Sequence, residues 1–195
     1  MSAESPNAIV IAGPNGSGKS TAAPRLLRDY LGVVEFVNAD AIALGLSGFA
    51  AATMAFQAGR IMLERLEQLE KQRVDFAFET TLASKSFAAR LRRLRQDGYR
   101  MHLIFLWLPS AEMALARVAS RVQQGGHDIP EATVRRRYEA GLRNFFELYR
   151  PIADTWVMFD NSRVDGYELI ASQSTGRAIE VANDSIWQTI AEHYQ

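Results

Sequence analysis

The sequence predicts an α/β fold: a three-layer α/β/α sandwich on a mostly parallel five-stranded core sheet, with a helical lid and a small C-terminal hairpin. Three observations predict it. Short apolar runs alternate with longer stretches of helical periodicity, the pattern of βαβ units and a parallel sheet. The run at 101–108 is nearly all apolar, as a central strand covered on both faces must be. The run at 9–12 passes directly into a glycine-rich turn that opens a helix. At 195 residues the chain reads as one domain, 1–195, large enough to bury a core without a disulfide or structural metal.

Each element has its own signal. The first strand is 9–12 and the first helix 19–31, where Pro24 is tolerable because the early N–H groups lack intrahelical acceptors. Residues 33–38 read as the second strand, with Asp40 just past its end. A long helix over 50–72 carries Met54, Ile61, Met62, Leu66 and Leu69 at helical spacing. The third strand, 74–78, ends at Glu79-Thr80-Thr81, and Gly98 stops a helix over 86–97. After the fourth strand come a helix over 111–123, a Gln-Gly-Gly-His-Asp loop, and a helix to about 149 with Pro130 near its first position. A fifth strand at 155–159, a hairpin over 167–181 and a helix over 184–193 close the chain. Met54, Met62, Phe145 and Phe146 are expected in the core.

Composition narrows the function. Lys+Arg and Asp+Glu number 22 each, so the net charge of zero gives no field for nucleic acid or an anionic membrane, and neither is expected as a partner. The absence of cysteine excludes a disulfide framework and a Cys-ligated zinc. No run approaches the ~20 apolar residues of a membrane span, and residues 1–7 lack the basic and apolar regions of a signal peptide. A soluble cytoplasmic protein is expected.

The turn after the first strand reads Gly13-Pro14-Asn15-Gly16-Ser17-Gly18-Lys19-Ser20-Thr21, the P-loop spacing G-x-x-x-x-G-K-[ST]. Successive backbone N–H groups can cradle a phosphate chain only where side chains do not intrude. The following helix adds its positive end. Lys19 can reach the β/γ-phosphates and the Ser20 hydroxyl can ligate Mg²⁺, so ATP and Mg²⁺ are the expected cofactors and the sheet is of the P-loop NTPase type. Ligands on such sheets sit beyond the carboxyl ends of the strands, so Asp40 and Glu79 should face the same crevice.

Asp40 can accept the proton of a substrate hydroxyl, touch Mg²⁺ through water, or cap the helix after it. Glu79 replaces the acid that usually serves the metal, or binds a substrate hydroxyl; Thr80 and Thr81 are substrate contacts or caps. Arg117 and Arg121 share one helix face, and Arg135, Arg136 and Arg137 follow the Gly125-Gly126 loop. Arginine forks match the equatorial oxygens of a transferring phosphoryl group. The two helices, approximately 110–140, read as a lid that brings arginines over ATP. Three consecutive arginines point in three directions, so all cannot reach one phosphate. His127 reads as a loop hydrogen-bonding residue. Trp156, Asp160, Asn161 and Ser162 sit where an adenine contact or an Asx-type turn would fall.

The P-loop, Asn38-Ala39-Asp40, Phe78-Glu79-Thr80-Thr81, and Gly125-Gly126-His127-Asp128-Ile129-Pro130 followed by Arg135-Arg136-Arg137-Tyr138 together resemble the zeta-toxin family of P-loop kinases, over roughly 9–162. The resemblance implies ATP-dependent phosphorylation of a small-molecule hydroxyl, in those toxins the sugar 3′-hydroxyl of UDP-N-acetylglucosamine. Carried over by position, Lys19 and Ser20 match the ATP and Mg²⁺ residues; Arg117, from its shared helix face with Arg121, is read as a nucleotide contact. Asp40 matches the catalytic base, Glu79 the acidic substrate-site residue and Arg121 the first phosphate-stabilising arginine. The second arginine falls among Arg135–Arg137, Arg135 being taken first, and Glu64 is a candidate sugar contact. The chain lacks an evident additional substrate-binding segment and looks like the compact stand-alone members. An ATPase or nucleotide switch, and a toxin held by an antitoxin protein, are the alternative readings.

Overall fold

A computed structural model describes residues 5–47, 51–126, 128–163 and 166–194; His127 lies outside them. Five strands run parallel as the sequence predicts. β1 (Asn7–Ala12) lies between β3 (Phe76–Thr80) and β4 (Arg100–Trp107), with β2 (Phe36–Val37) beyond β3 and β5 (Thr155–Asp160) beyond β4. The hairpin does not stand apart. β6 (Glu168–Ser174) pairs antiparallel with β5, and β7 (Glu180–Val181) with β6, giving one seven-stranded sheet of order β2-β3-β1-β4-β5-β6-β7. The expected five-stranded sheet is thereby corrected. Left as an edge, β5 would present a row of unpaired N–H and C=O groups; β6 satisfies them and buries Ile170 and Ala171 completely.

The helices follow the predicted order with two changes of winding. α1 (Lys19–Ala23) passes into a π-helical stretch, Pro24–Tyr30. Pro24 has no N–H and its ring displaces the carbonyl one turn back, so a wider turn continues the coil. α2 (Ala39–Leu46) and a 3₁₀ turn, Ala51–Met54, precede α3 (Ala55–Gln72), where the sequence predicts one helix over 50–72. α4 (Ser86–Gln96) and α5 (Ala111–Gln123) lie close to their predicted bounds. α6 (Glu131–Asn144) takes Pro130 as its N-cap and ends in a π turn, Phe145–Tyr149, and α7 (Asp184–Tyr194) closes the fold.

Alternation along β1 divides the core. Ala8, Val10 and Ala12 face the larger cluster with Phe76, Phe78, Phe105, Phe145, Phe146 and Met62, whereas Ile9 and Ile11 face Leu27, Val33, Ile104 and Leu106. Met54 is only half-buried. Trp156 corrects another expectation. It pairs with Leu103, stacks on Trp187 at 5.6 Å and meets Phe145 edge-on, so it is core at the amino half of β5 and not an adenine contact. The four parallel strands β1, β3, β4 and β5 end at Ala12, Thr80, Trp107 and Asp160, and that common end carries the site.

Candidate active site

The turn between β1 and α1 is shaped by close backbone approaches. Gly13 has φ +140°, and a Cβ there would lie 2.3 Å from the Leu106 carbonyl oxygen. Gly18 has φ +82°, and its Cβ would meet Asn161 Nδ2 at 2.6 Å. That side chain donates instead to the Ser17 carbonyl at 2.8 Å. Only glycine fits both places.

Lys19, 6% exposed, donates from Nζ to the carbonyls of Gly13 (2.9 Å) and Pro14 (2.8 Å) and lies 3.9 Å from Glu79 Oε1. Burial holds its ammonium below the usual lysine range; Glu79 and Asp40 oppose that shift, and Arg121 and Arg137 add to it. Two arginines from the predicted lid therefore act electrostatically on the P-loop lysine.

Glu79 reaches the crevice by register, because β3 places it opposite Ile11. Its Oε2 accepts from Ser20 Oγ and from Asn38 Nδ2, both at 2.8 Å. Asn38 Oδ1 caps α2 by accepting from Asp40 N (2.8 Å) and Ala41 N (3.1 Å), which sets Asp40 in the first turn. Asn38 is the residue that sequence reasoning passed over. The cap expected as one role of Asp40 falls to Asn38, two residues earlier, and its bond to Glu79, 41 positions on, has no local signal.

A cleft of about 840 Å³ opens from this cluster. Its walls include Asn15, Lys19, Asp40, Glu79, Thr80 and Thr81, with α3 residues Phe56, Arg60 and Leu63 opposite. Of the three consecutive arginines, Arg136 and Arg137 line it. Arg137 lies 3.5 Å from Asn15 Oδ1, at the limit of hydrogen bonding, and burial beside Arg136 lowers its proton affinity. Arg135 is turned elsewhere. It is held by Glu112 (2.6 Å) and Glu131 (2.8 Å) on the outer face of the helix pair, so the helical turn and not the sequence order selects its neighbours. Glu64 is well exposed, 4.0 Å from Arg60, and lies outside the cleft lining.

The opposite flank of the P-loop is closed by α5 and the segment after β5. Arg117 donates to the carbonyls of Asn161 (2.6 Å) and Ser162 (2.8 Å), while Asp160 accepts from Ser162 N and Oγ. These bonds make the Asx-type turn one alternative allowed, and Arg117 braces it. Gly126 packs so closely on Arg121 that a Cβ would lie 2.6 Å from Arg121 Cγ, fixing where the α5–α6 loop crosses. α6 and its π turn also hold the loop after β3. Asn144 Nδ2 donates to the Leu82 carbonyl at 2.7 Å, and the Tyr149 hydroxyl donates to the Ser84 carbonyl.

The donors fit a magnesium nucleotide. Among the described residues no group of three or more His, Cys, Asp or Glu could hold a metal. Mg²⁺ keeps waters and substrate phosphates, so the Ser20 hydroxyl beside the Glu79 carboxylate is a sufficient oxygen-donor pair. No helix among the described residues is long and apolar enough to cross a membrane.

Parallel strands around a glycine-lined turn, with Lys19 and Ser20 at a helix start, define a P-loop nucleotide-binding domain. The AAA domain family model matches residues 9–146, and the chain belongs to that family. An uncharacterized protein of Haemophilus influenzae (strain ATCC 51907 / DSM 11121 / KW20 / Rd) is 33% identical over 131 residues, 67% of this chain and 91% of that one. Among solved structures, a chain of the AvrRxo1-ORF1:-ORF2 complex with ATP superposes with a TM-score of 0.78 at 17% identity. The match covers 96% of this chain, which spans 64% of the length of that one. A chain of the PezAT chromosomal toxin-antitoxin system of Streptococcus pneumoniae gives a TM-score of 0.65 at 14% identity, covering 98% and 87% of the two chains. At these identities the likeness is one of fold.

Proposed function

We propose that the chain is an ATP-dependent kinase that phosphorylates a hydroxyl of a small molecule. One observation carries the reading: the 840 Å³ cleft lies on the side of Lys19 away from the Arg117–Asn161 brace. Lys19, the residue that reaches the β/γ-phosphates of a P-loop nucleotide, lines that cleft. A switch or ATPase needs room there only for water; a second substrate needs a cleft. Lys19 binds the phosphates, and Ser20 and Glu79 would hold Mg²⁺, which would supply positive charge to neutralise the phosphates. Asp40 takes the proton of the acceptor hydroxyl, and Arg121 and Arg137 offset charge on the transferring group, in place of the Arg135 first taken from the sequence. Helices α5 and α6, within approximately 110–140, act as the lid.

The far wall supports one acceptor class. Phe56 is 82% exposed yet lines the cleft, one turn before Arg60 on the same face of α3. A ring laid on Phe56 and an anionic group at Arg60 suit a nucleotide sugar of the UDP-N-acetylglucosamine kind. The test is a screen of nucleotide sugars, simple sugars and nucleosides for ADP formation by the purified protein with Mg²⁺·ATP. Stimulation by one acceptor class supports a kinase, with nucleotide sugars expected to lead. A rate indifferent to all of them makes it an ATPase or switch.

A second reading rests on the fold shared with chains of the AvrRxo1-ORF1:-ORF2 complex and the PezAT toxin-antitoxin system. In it the kinase is a toxin restrained by an antitoxin protein. Growth arrest on expression, relieved by Asp40→Asn, is the expected result; harmless expression of an active kinase removes it.

A further inference from the structure

We propose that Asn38 is a positioning residue that sets the metal-side pair, Ser20 and Glu79, and the base Asp40 in one register. The inference rests on the kinase reading of those three residues. Its origin is the short ladder between β2 and β3, where Phe36 pairs with Ala77 and Val37 with Phe78. One residue further, Asn38 comes level with Glu79 as the chain leaves the sheet for α2. It is 8% exposed there, and its amide is used on both sides. Oδ1 accepts from Asp40 N and Ala41 N at 2.8 and 3.1 Å; Nδ2 donates to Glu79 Oε2 at 2.8 Å and reaches Ser20 Oγ at 3.3 Å.

The orientation of that amide is not interchangeable. Backbone N–H groups only donate and an ionised carboxylate only accepts, so a flipped amide would oppose donor to donor and acceptor to acceptor. Capping alone would not select asparagine, since Ser, Thr and Asp cap as well. The amide adds a donor on the side opposite its acceptor, with the reach to meet a carboxylate on the neighbouring strand. A single planar group thus joins the P-loop helix, β3 and α2, whose relative placement fixes the distance between phosphate, metal ligands and base. The hydrogen bond to Glu79 is to a carboxylate and partly buried, and bonds to charged groups are roughly twice as strong as neutral ones.

The experiment compares the full-length protein with Asn38→Ser, Glu79→Gln and the double variant, by calorimetric titration with ATP, with and without Mg²⁺, and by thermal unfolding. Serine keeps the cap but cannot reach Glu79. Asn38→Ser is expected to unfold within a few degrees of wild type, to bind metal-free ATP normally, and to lose on the order of tenfold in the affinity gained from Mg²⁺. In the Glu79→Gln background the same change should lose less than about twofold, because coupled residues are not additive. Asn38→Thr, a second cap-retaining variant, should behave alike if the serine variant folds poorly. An undiminished Mg²⁺ gain in Asn38→Ser, or an equal loss in both backgrounds, would leave Asn38 a helix cap and overturn the assignment. A wild-type protein without Mg²⁺-dependent ATP binding would overturn the kinase reading as well, so the two failures are distinguishable.

Discussion

Glu79→Gln tests the centre of the site without ligand. The replacement is nearly isosteric, and its amide oxygen can still face Ser20 Oγ and Asn38 Nδ2, so the change removes charge and little else. Both bonds to Oε2 are 2.8 Å long, and the Glu79 side chain is 11% exposed, which leaves little solvent to screen it. A hydrogen bond to a charged group contributes about 1.5–3 kcal/mol against about 1 for a neutral one, so two such bonds lose together about 2 kcal/mol. For a domain of this size that lowers Tm by about 4–8 °C.

Lys19 gives the prediction a pH signature. Burial lowers its pKa from the ordinary 10.5. Between that lowered value and 10.5 the unfolded chain binds more protons than the folded one, and stability rises with pH. Glu79 is the foremost influence opposing the shift. Its loss lowers the pKa further, so the rise should begin at a lower pH and be larger in the variant. Calorimetric unfolding from pH 6 to 10 measures both effects. A variant as stable as wild type at pH 7, with an unchanged pH slope, would refute the reasoning.

Asp40→Asn should leave ATP affinity within about twofold, since the capping bond to Asp40 N remains, while kcat falls by about 10²–10⁴ as expected for loss of a general base; single-turnover kinetics decides it. Arg137→Ala should lower kcat at least tenfold through lost charge stabilisation, whereas Arg135→Ala, which breaks only surface ion pairs, should stay within about twofold. Gly141→Ala adds about 1 kcal/mol of helix propensity, but its Cβ would lie 2.4 Å from the Thr81 carbonyl oxygen, an overpacking cost of about 2 kcal/mol. The net loss of about 1 kcal/mol, read by denaturant unfolding, should come with a raised acceptor KM, because the displaced Thr81 lines the cleft.

The parts of this site that are contiguous in sequence were legible. Gly13–Ser20 declares itself by spacing, and Asp40 and Glu79 by following strands. What depends on a partner far along the chain was not. The hairpin reads the same locally whether it stands free or continues the sheet; only the open edge of β5 decides. Arg135, Arg136 and Arg137 differ by about 100° steps around a helix, and the orientation of α6 on the loop after β3, not their order, sends Arg136 and Arg137 inward. The sequence allows the helix cap at Asp40 where the structure puts it at Asn38, and Asn38 hides its bond to Glu79, because the β2–β3 register that creates it is non-local. Pro24, read as tolerable within one helix, is where the winding changes, and the π turn at Phe145–Tyr149 has no proline to announce it.

The most direct measurement follows the terminal phosphoryl group itself, by phosphorus NMR of the protein with ATP, Mg²⁺ and a mixture of nucleotide sugars. The kinase account predicts a new phosphomonoester resonance growing in step with ADP and absent with Asp40→Asn. Inorganic phosphate as the sole product, at a rate the sugars do not alter, would contradict it.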